Sequence, residues 1–201
     1  MLNNDNLFLE KDPISLFKKW MDEAVDKEIN DPNAIALSTV DDSGFPNVRM
    51  VLLKDIDGED FLFYTNYGSV KSTEISGSQK LAFVIHWKSL RRQIRVRGLV
   101  EKEEGKLADD YYSSRSLKSR IGAWASEQSK PIESRKLLLK SVEKFTEELG
   151  ENPKRPKFWG GFRVKPIEIE FWADGPARLH DRYRWHRAKP NSDWTITRLQ
   201  P

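Results

Sequence analysis

The chain has 201 residues, with 34 Lys or Arg against 31 Asp or Glu, so its formal net charge is only +3. This balance argues against nucleic-acid binding through overall charge, and any anion site must come from local clustering. The lack of cysteine excludes disulfides and thiolate metal sites and fits a reducing, cytoplasmic environment.

The amino terminus shows no targeting pattern. It reads MLNNDNLFLEKD, without the basic stretch and apolar core of a secretion signal. No apolar run approaches the roughly 18 residues that cross a membrane. We therefore predict a cytoplasmic protein with no membrane partner, a single domain over residues 1–201 in which residues 1–11 form a flexible arm.

Helical and strand-like patterns alternate along the chain. Residues 12–29 predict a helix, with Asp12 as N-cap, Pro13 at the first helical position and apolar residues at helical spacing. Further helices are predicted at 68–77, at 105–125 in two pieces, and at 131–149. Strand patterns bounded by turn residues cover 34–40, 47–54, 60–65, 81–87, 92–104, 158–164, 167–172, 178–187 and 194–199.

Strands dominate, their links are short, and the helices are few. This order predicts a mainly β (α+β) protein, an antiparallel sheet closed or nearly closed into a barrel with peripheral helices. A parallel nucleotide-binding sheet is disfavoured because the alternation of strands and helices is missing. The chain also lacks GxGxxG and GxxxxGK[ST], so a bound phosphate would be held by side chains.

Familiar catalytic patterns are absent from the sequence. There is no cysteine nucleophile, no GxSxG and no HExxH. The three histidines, His86, His180 and His186, do not have the spacing of metal ligands, and we predict no metal site.

Basic residues do recur beside aromatic and hydroxyl residues. Tyr111, Arg115 and Ser119 are four apart, so one side of a helix would present a phenol, a guanidinium and a hydroxyl, which suits a phosphate dianion. Arg49 and Lys54 flank an apolar run but are five apart, which places them on opposite faces of a regular strand. Either a bulge intervenes or Lys54 bends round at the strand end.

The stretch RLHDR (178–182) has a similar character. In an extended strand Arg178, His180 and Arg182 would share one face, leaving Leu179 and Asp181 on the other.

Together these motifs resemble one known family. IEFWADGPARLHDR (169–182) is similar to the carboxy-terminal signature of pyridoxamine 5'-phosphate oxidases. The same family is matched in order by RMVLLK (49–54), FYTNYGSVK (63–71), RRQIRVRG (91–98), YYSSRSLKSRIGAW (111–124), EQS (127–129) and FWGGFRV (158–164). The resemblance implies a split barrel that binds FMN at the interface of a homodimer. It also implies oxidation of a vitamin B6 5'-phosphate to pyridoxal 5'-phosphate by O2, which gives H2O2.

The resemblance also implies residue roles. Cofactor-binding residues would be Arg49, Met50, Val51, Tyr64, Thr65, Lys71, Gln93, Gln128, Ser129, Trp172 and Arg182. The substrate phosphate would be held by Lys54, Tyr111, Arg115 and Ser119. Arg178 and His180 would bind the substrate over its ring and reacting carbon, as the catalytic pair. Many members read GSRK where this chain has Val70 before Lys71, which removes a basic group near the flavin phosphate.

Three other interpretations stay open on the sequence. A related flavin oxidase of the phenazine-biosynthesis type would keep the flavin residues without needing the phosphate grip. A split-barrel protein could bind flavin or pyridoxal phosphate without turnover. The basic strand RRQIRVRG could belong to a nucleic-acid-binding module, which would show strong salt dependence.

Overall fold

The computed structural model describes residues 5–201, and the structural statements below concern these residues. Helix α1 (Pro13–Lys27) begins at Asp12, whose carboxylate accepts hydrogen bonds from the backbone N–H groups of Ile14 and Ser15 at 3.3 and 2.9 Å. These bonds satisfy donors that the first helical turn leaves unpaired. The predicted N-cap is thereby confirmed.

Eight strands form one antiparallel sheet. They are β1 (Ala34–Val40), β2 (Pro46–Asp57), β3 (Asp60–Asn66), β4 (Lys80–Trp87), β5 (Arg92–Glu103), β6 (Trp159–Ala173), β7 (Asp181–His186) and β8 (Thr195–Leu199). Their order is β3-β2-β1-β4-β5-β6-β7-β8, and a further pairing of β3 with β6 closes six of them into a barrel. The predicted antiparallel barrel is confirmed.

Four more helices lie between the strands. They are α2 (Val70–Ser78), α3 (Lys106–Ser114), α4 (Leu117–Ala125) and α5 (Arg135–Leu149). Within residues 5–201, none of the helices is both long enough and apolar enough to cross a membrane.

Strand β6 is a single strand where the sequence predicted two. The predicted strands 158–164 and 167–172 leave out Lys165 and Pro166, and Pro166 has no N–H to donate. In the structure β6 pairs with β3 as far as Val164 and with β7 from Glu168 onward. Pro166 thus lies where the strand passes from β3 to β7, next to a register shift in its pairing with β5, and an irregularity of this kind is where a strand tolerates proline.

Aromatic side chains fill the barrel. Helix α1 inserts Phe17 and Trp20, which meet Phe61 and Phe171 edge-on with ring centroids 4.9 and 5.2 Å apart. Phe61 in turn meets Phe83 at 5.4 Å. Burial of each such side chain contributes on the order of 1.5–3 kcal/mol, so α1 is an integral part of the core.

The chain ahead of α1 also contacts this core. Phe8 lies 4.6 Å from the ring of Tyr183, and the Trp185 indole donates to the Lys11 carbonyl at 3.0 Å. Residues 1–4, the rest of the predicted flexible arm, lie outside the described part of the chain.

We expect Gly98→Ala to destabilise the barrel. Gly98 sits at a register shift between β5 and β6, and a Cβ there would lie 2.7 Å from both the Lys165 carbonyl oxygen and Val164 Cγ1. Overpacking of this kind costs about 1–3 kcal/mol, to be measured by urea unfolding. Gly122→Ala in α4, where nothing lies within 4 Å of the new Cβ, is the control. Equal stability of the two variants would contradict the expectation.

Candidate functional site

A cavity of about 960 Å³ opens between β2, the end of β3 and helices α2 to α4. It brings together residues that lie up to 112 positions apart in the sequence, from Asn47 to Trp159, and among them are the predicted basic clusters of Arg49 with Lys54 and of Tyr111, Arg115 and Ser119. The predicted site residues that line it are Arg49, Met50, Val51, Lys54, Tyr64, Thr65, Lys71, Tyr111, Arg115, Ser119, Gln128 and Ser129.

One end of the cavity is built around Lys71. Its ammonium donates to Gln128 Oε1 at 2.9 Å, Ser69 Oγ at 3.1 Å and Thr65 Oγ1 at 3.2 Å. Burial, together with the nearby charge of Arg49, lowers the pKa of Lys71 to about 8. Its hydrogen bonds are all to neutral oxygens, so no acceptor of these bonds neutralises the positive charge. An anion bound here could therefore form an ion pair with the Lys71 ammonium.

Arg49 is held beside Lys71 by a buried carboxylate. Glu74 accepts from Arg49 Nη2 and from Asn47 Nδ2, each at 3.1 Å, and also from Thr39. Burial acts to raise the pKa of Glu74, but the hydrogen bonds from Thr39 and Asn47 and the charge of Arg49 lower it overall. Glu74 therefore stays ionised and fixes the Arg49 side chain.

The other end of the cavity carries three parallel rings, the aromatic stack of Tyr64, Tyr111 and Trp159. Tyr64 lies 4.2 Å from Tyr111 and 5.7 Å from Trp159, with interplanar angles of 20° and 9°. Burial raises the pKa of Tyr64 to about 12, so its phenol is neutral near pH 7. The cations of Lys54 and Arg115 lie over rings of this stack, at 5.9 Å from Tyr111 and 4.8 Å from Trp159.

Lys54 reaches the cavity through a bulge. The pairing of β2 with β3 shifts register between Leu53 and Asp55, so Lys54 is an extra residue in β2. A bulge re-aims the side chains that follow it. Of the two explanations for how Arg49 and Lys54 could share a site, the bulge is the one present.

The prediction that Tyr111, Arg115 and Ser119 lie on one side of a single helix is wrong. Helix α3 ends at Ser114, Arg115 has extended backbone (φ −71°, ψ 150°), and Ser116 caps the start of α4. A continuous helix is interrupted because the Ser116 hydroxyl accepts a hydrogen bond from the Ser119 N–H at 3.3 Å and so begins a new helix there. All three predicted residues nevertheless line the cavity.

The remaining predicted residues form a second group, the Trp172 cluster of Gln93, Trp172, His180 and Arg182. Gln93, Trp172 and Arg182 are direct neighbours across β5, β6 and β7. The His180 ring lies 4.6 Å from Trp172. Arg182 donates twice to Glu170 Oε1, at 2.7 and 3.0 Å. None of these residues lines the cavity of the same chain, as far as residues 5–201 show.

The predicted common strand face for Arg178, His180 and Arg182 is wrong. Strand β7 begins only at Asp181, and residues 176–178 form a tight turn in which Arg178 has a positive φ of 64°. Pro176 favours this turn over a strand. Arg178 is exposed, and His180 precedes the strand with Nδ1 3.2 Å from Asp174 and from the Gly175 N–H. Asp181 pairs with Arg198 at 2.6 Å.

Trp159 and Glu74 were not singled out from the sequence. A signal for Trp159 was present in the FWGG motif: Gly161 pairs with Tyr64 across β3 and β6, and a Cβ there would lie 2.9 Å from the Tyr64 ring. The glycine leaves room for the aromatic stack. Glu74 had no comparable signal, because its burial depends on strands distant in sequence.

Comparison with known proteins gives consistent results over the whole chain. A family model described as pyridoxamine 5'-phosphate oxidase matches residues 21–148, and one described as the pyridoxine 5'-phosphate oxidase C-terminal dimerisation region matches residues 159–201. Proteins named pyridoxine/pyridoxamine 5'-phosphate oxidase from Cereibacter sphaeroides and Ruegeria sp. are 62% and 60% identical, with full coverage of both chains.

Solved structures agree with the fold. PhzG from Burkholderia lata, in complex with tetrahydrophenazine-1-carboxylic acid, superposes with a TM-score of 0.91 at 29% identity, covering 100% of this chain and 98% of that one. A pyridoxamine 5'-phosphate oxidase-related, FMN-binding protein from Nostoc punctiforme has a TM-score of 0.75 at 14% identity, covering 92% and 97%, which shows a shared fold.

We expect Lys71→Gln to change how stability depends on pH. Folding lowers the Lys71 pKa from 10.5 to about 8, so between these values the unfolded chain binds more protons than the folded one. The free energy of unfolding of the wild type should therefore rise with pH over this range relative to the variant. Urea unfolding of ligand-free protein from pH 7 to 10.5 measures it, with Lys136→Gln on exposed α5 as control. A constant difference across the range would contradict the prediction.

Proposed function

The chain belongs to the pyridoxamine 5'-phosphate oxidase family, and from that premise we propose that it oxidises pyridoxamine and pyridoxine 5'-phosphates to pyridoxal 5'-phosphate, with FMN as cofactor and O2 as electron acceptor, yielding H2O2. The observation that carries the proposal is one cavity with two separate cationic ends, Arg49 with Lys71 and Lys54 with Arg115. Substrate and cofactor each bring one phosphate, so the reaction needs two such ends.

The Lys71 end fits the phosphate of FMN. Lys71 has only neutral partners, and Arg49 is fixed by Glu74, so a dianion would meet two oriented donors. Thr65, Gln128 and Ser129 add neutral oxygen and nitrogen groups for the ribityl chain. When bound, FMN supplies the hydride acceptor, while the protein positions substrate and cofactor.

The Arg115 end fits the phosphate of the substrate. Arg115 Nη1 is buried and has no hydrogen-bond partner within the described residues. A buried guanidinium N–H without a partner is costly, and a phosphate oxygen would satisfy it. Burial lowers the pKa of Arg115, but a guanidinium stays protonated at neutral pH. Lys54, Tyr111 and Ser119 complete this grip in the proposal.

A homodimer completes the site in this proposal. Trp159 and Trp172 are 13 residues apart on β6, up to roughly 40 Å along a strand, so one small ligand cannot readily contact both ends within a chain. The match to a dimerisation region at 159–201 supports pairing of two chains. Val48, Met50 and Leu52 leave an apolar edge of β2 exposed beside the cavity, which suits contact with a second copy.

In the dimer, the Trp172 cluster of the second chain would reach the flavin. Gln93, Trp172 and Arg182 would face its ring, and a guanidinium there stabilises negative charge that develops on reduction. Arg178 and His180 would lie over the substrate ring and its reacting carbon. The contact of the His180 ring with Trp172, with ring centroids 4.6 Å apart and planes tilted by 46°, supports a fixed orientation of the imidazole beside the proposed flavin site.

Two alternatives are less well supported. A phenazine-type oxidase is favoured by the likeness to PhzG, but identity to that protein is 29% against 62% for a protein named for the vitamin B6 phosphates. Nucleic-acid binding is disfavoured because the arginines of the basic strand face acids. The pairs are Arg91–Asp174, Arg92–Glu23, Arg95–Glu170 and Arg97–Glu168. A cytoplasmic location stays a prediction from the sequence.

We expect the purified protein to be yellow and to release FMN on unfolding. With pyridoxamine 5'-phosphate and O2 it should produce pyridoxal 5'-phosphate and H2O2, and an oxygen-consumption assay measures this turnover.

We expect Arg115→Ala to raise KM by about tenfold or more with a smaller change in kcat, because ground-state phosphate binding is lost. Arg120→Ala, whose guanidinium pairs with Asn152 outside the cavity, is the control. Absence of turnover in wild-type protein that carries a full complement of bound FMN would refute the proposed reaction.

We expect Val70→Arg to tighten FMN binding. Val70 is 45% exposed, lines the cavity and precedes Lys71, so an arginine there would add a third cation near the phosphate. A charge-assisted contact of about 1 kcal/mol would lower Kd about fivefold, measured by quenching of flavin fluorescence. Val70→Leu controls for side-chain size. The same change in both variants would argue against a phosphate at this end.

A further inference from the structure

Arg115 is held in the cavity by a ring, with no acid beside it. Its guanidinium carbon lies 4.8 Å from the centre of the Trp159 ring, and within residues 5–201 no carboxylate forms an ion pair with it. We propose that Trp159 is a positioning residue for the reaction, which holds the Arg115 guanidinium by its π-face and so leaves the N–H donors available for the substrate phosphate. This inference rests on the proposed function.

Three other partly buried arginines of the chain are held by a carboxylate instead. Arg49 pairs with Glu74 at 3.1 Å, Arg92 with Glu23 at 2.7 Å, and Arg182 with Glu170 at 2.7 Å. A carboxylate occupies the same forked donors that a phosphate needs and neutralises the charge. An indole face attracts the cation but takes none of its N–H groups. The unpartnered Nη1 of Arg115 is the expected result.

Trp159 is itself rigidly placed. Its side chain is buried in the aromatic stack, parallel to Tyr64 and 6.1 Å from Tyr111, and Tyr112 meets it edge-on at 5.3 Å. Position 159 is also the first residue of β6, paired with Asn66 of β3. The barrel wall therefore fixes the ring, and the ring fixes an arginine whose own backbone lies in the link between α3 and α4.

Both cations of the proposed substrate phosphate site lie over rings of the aromatic stack. Lys54 lies over Tyr111 at 5.9 Å while Arg115 lies over Trp159. The two cations proposed to bind the substrate phosphate thus rest on one rigid set of rings, which restricts the side-chain freedom that each would lose when a dianion binds. Pre-organisation of this kind lowers the entropy cost of binding. We therefore expect Trp159 to influence binding of the phosphorylated substrate more than the chemical step.

The test compares Trp159→Leu and Trp159→Phe with the wild type. KM for pyridoxine 5'-phosphate should rise about tenfold in Trp159→Leu, with kcat changed less than about twofold, and Trp159→Phe should recover most of the loss because it keeps a π-face. In an Arg115→Ala background, Trp159→Leu should raise KM little further, since the residue acts through Arg115.

Trp20→Phe provides a matched control. Arg92 lies 4.9 Å over the Trp20 ring, nearly the same geometry, but this pair lies outside the cavity and Arg92 has Glu23 as well. The KM of Trp20→Phe for pyridoxine 5'-phosphate should equal that of the wild type, even if the variant is less stable.

Three results would overturn the inference. They are wild-type KM in Trp159→Leu, an equal KM rise in Trp159→Phe and Trp159→Leu, and an undiminished rise in the Arg115→Ala background. FMN content and circular dichroism confirm that each variant is folded, and Trp159→Met, which also lacks a π-face, takes the place of Trp159→Leu if that variant does not fold. Failure of the proposed function is distinct, because the wild type itself would then not oxidise the phosphorylated vitamer.

Discussion

Strand β6 has to pair with three neighbours, and the rest of the structure depends on this constraint. It meets β5 along its length, β3 through its first part and β7 through its last. The β3 pairing closes the barrel, and the β7 pairing carries the chain out of it. Both are possible because the strand changes neighbours around Pro166, next to a register shift in its pairing with β5. The two ends of β6 consequently carry Trp159 at the cavity and Trp172 at the second cluster.

Closure of the barrel thereby separates two sets of residues that the proposed reaction needs together. A rigid strand cannot fold back to bring Trp172 to the cavity of its own chain. A two-fold partner solves this without any loss of barrel pairing, since an isologous contact presents the same surfaces twice and completes two sites at once. The exposed edge of β2 and the carboxy-terminal strands are the surfaces that such a contact would use.

The sequence predicted the barrel and most strands because burial on one face leaves a clear alternation, as in Gln93 to Arg97. It failed where a local bond outcompetes the period. Pro176 turns the chain at residues 176–178, and Ser116 caps a helix just where Arg115 was expected in mid-helix. The bulge at Lys54 could be named only as one of two options, because a register shift depends on the partner strand. The grouping of cavity residues came from family resemblance; periodicity alone carries no information on which strands close a barrel.

The way an arginine is held determines whether its N–H donors remain available to a ligand. An acid beside a guanidinium satisfies its donors and fixes its position, and the basic strand β5 is stabilised in this way by Glu23, Glu168 and Glu170. At an anion site the same solution would compete with the ligand, so the position must be fixed by something that accepts no hydrogen bond. Trp159 holds Arg115 in this way, because a ring accepts none of its N–H groups. Glu74 holds Arg49 differently, because its carboxylate takes up one of the Arg49 donors. Glu74 neutralises much of the charge of Arg49, whereas the hydrogen-bond partners of Lys71 are all neutral, so in the proposed site Lys71 would supply the charge and Arg49 oriented N–H donors.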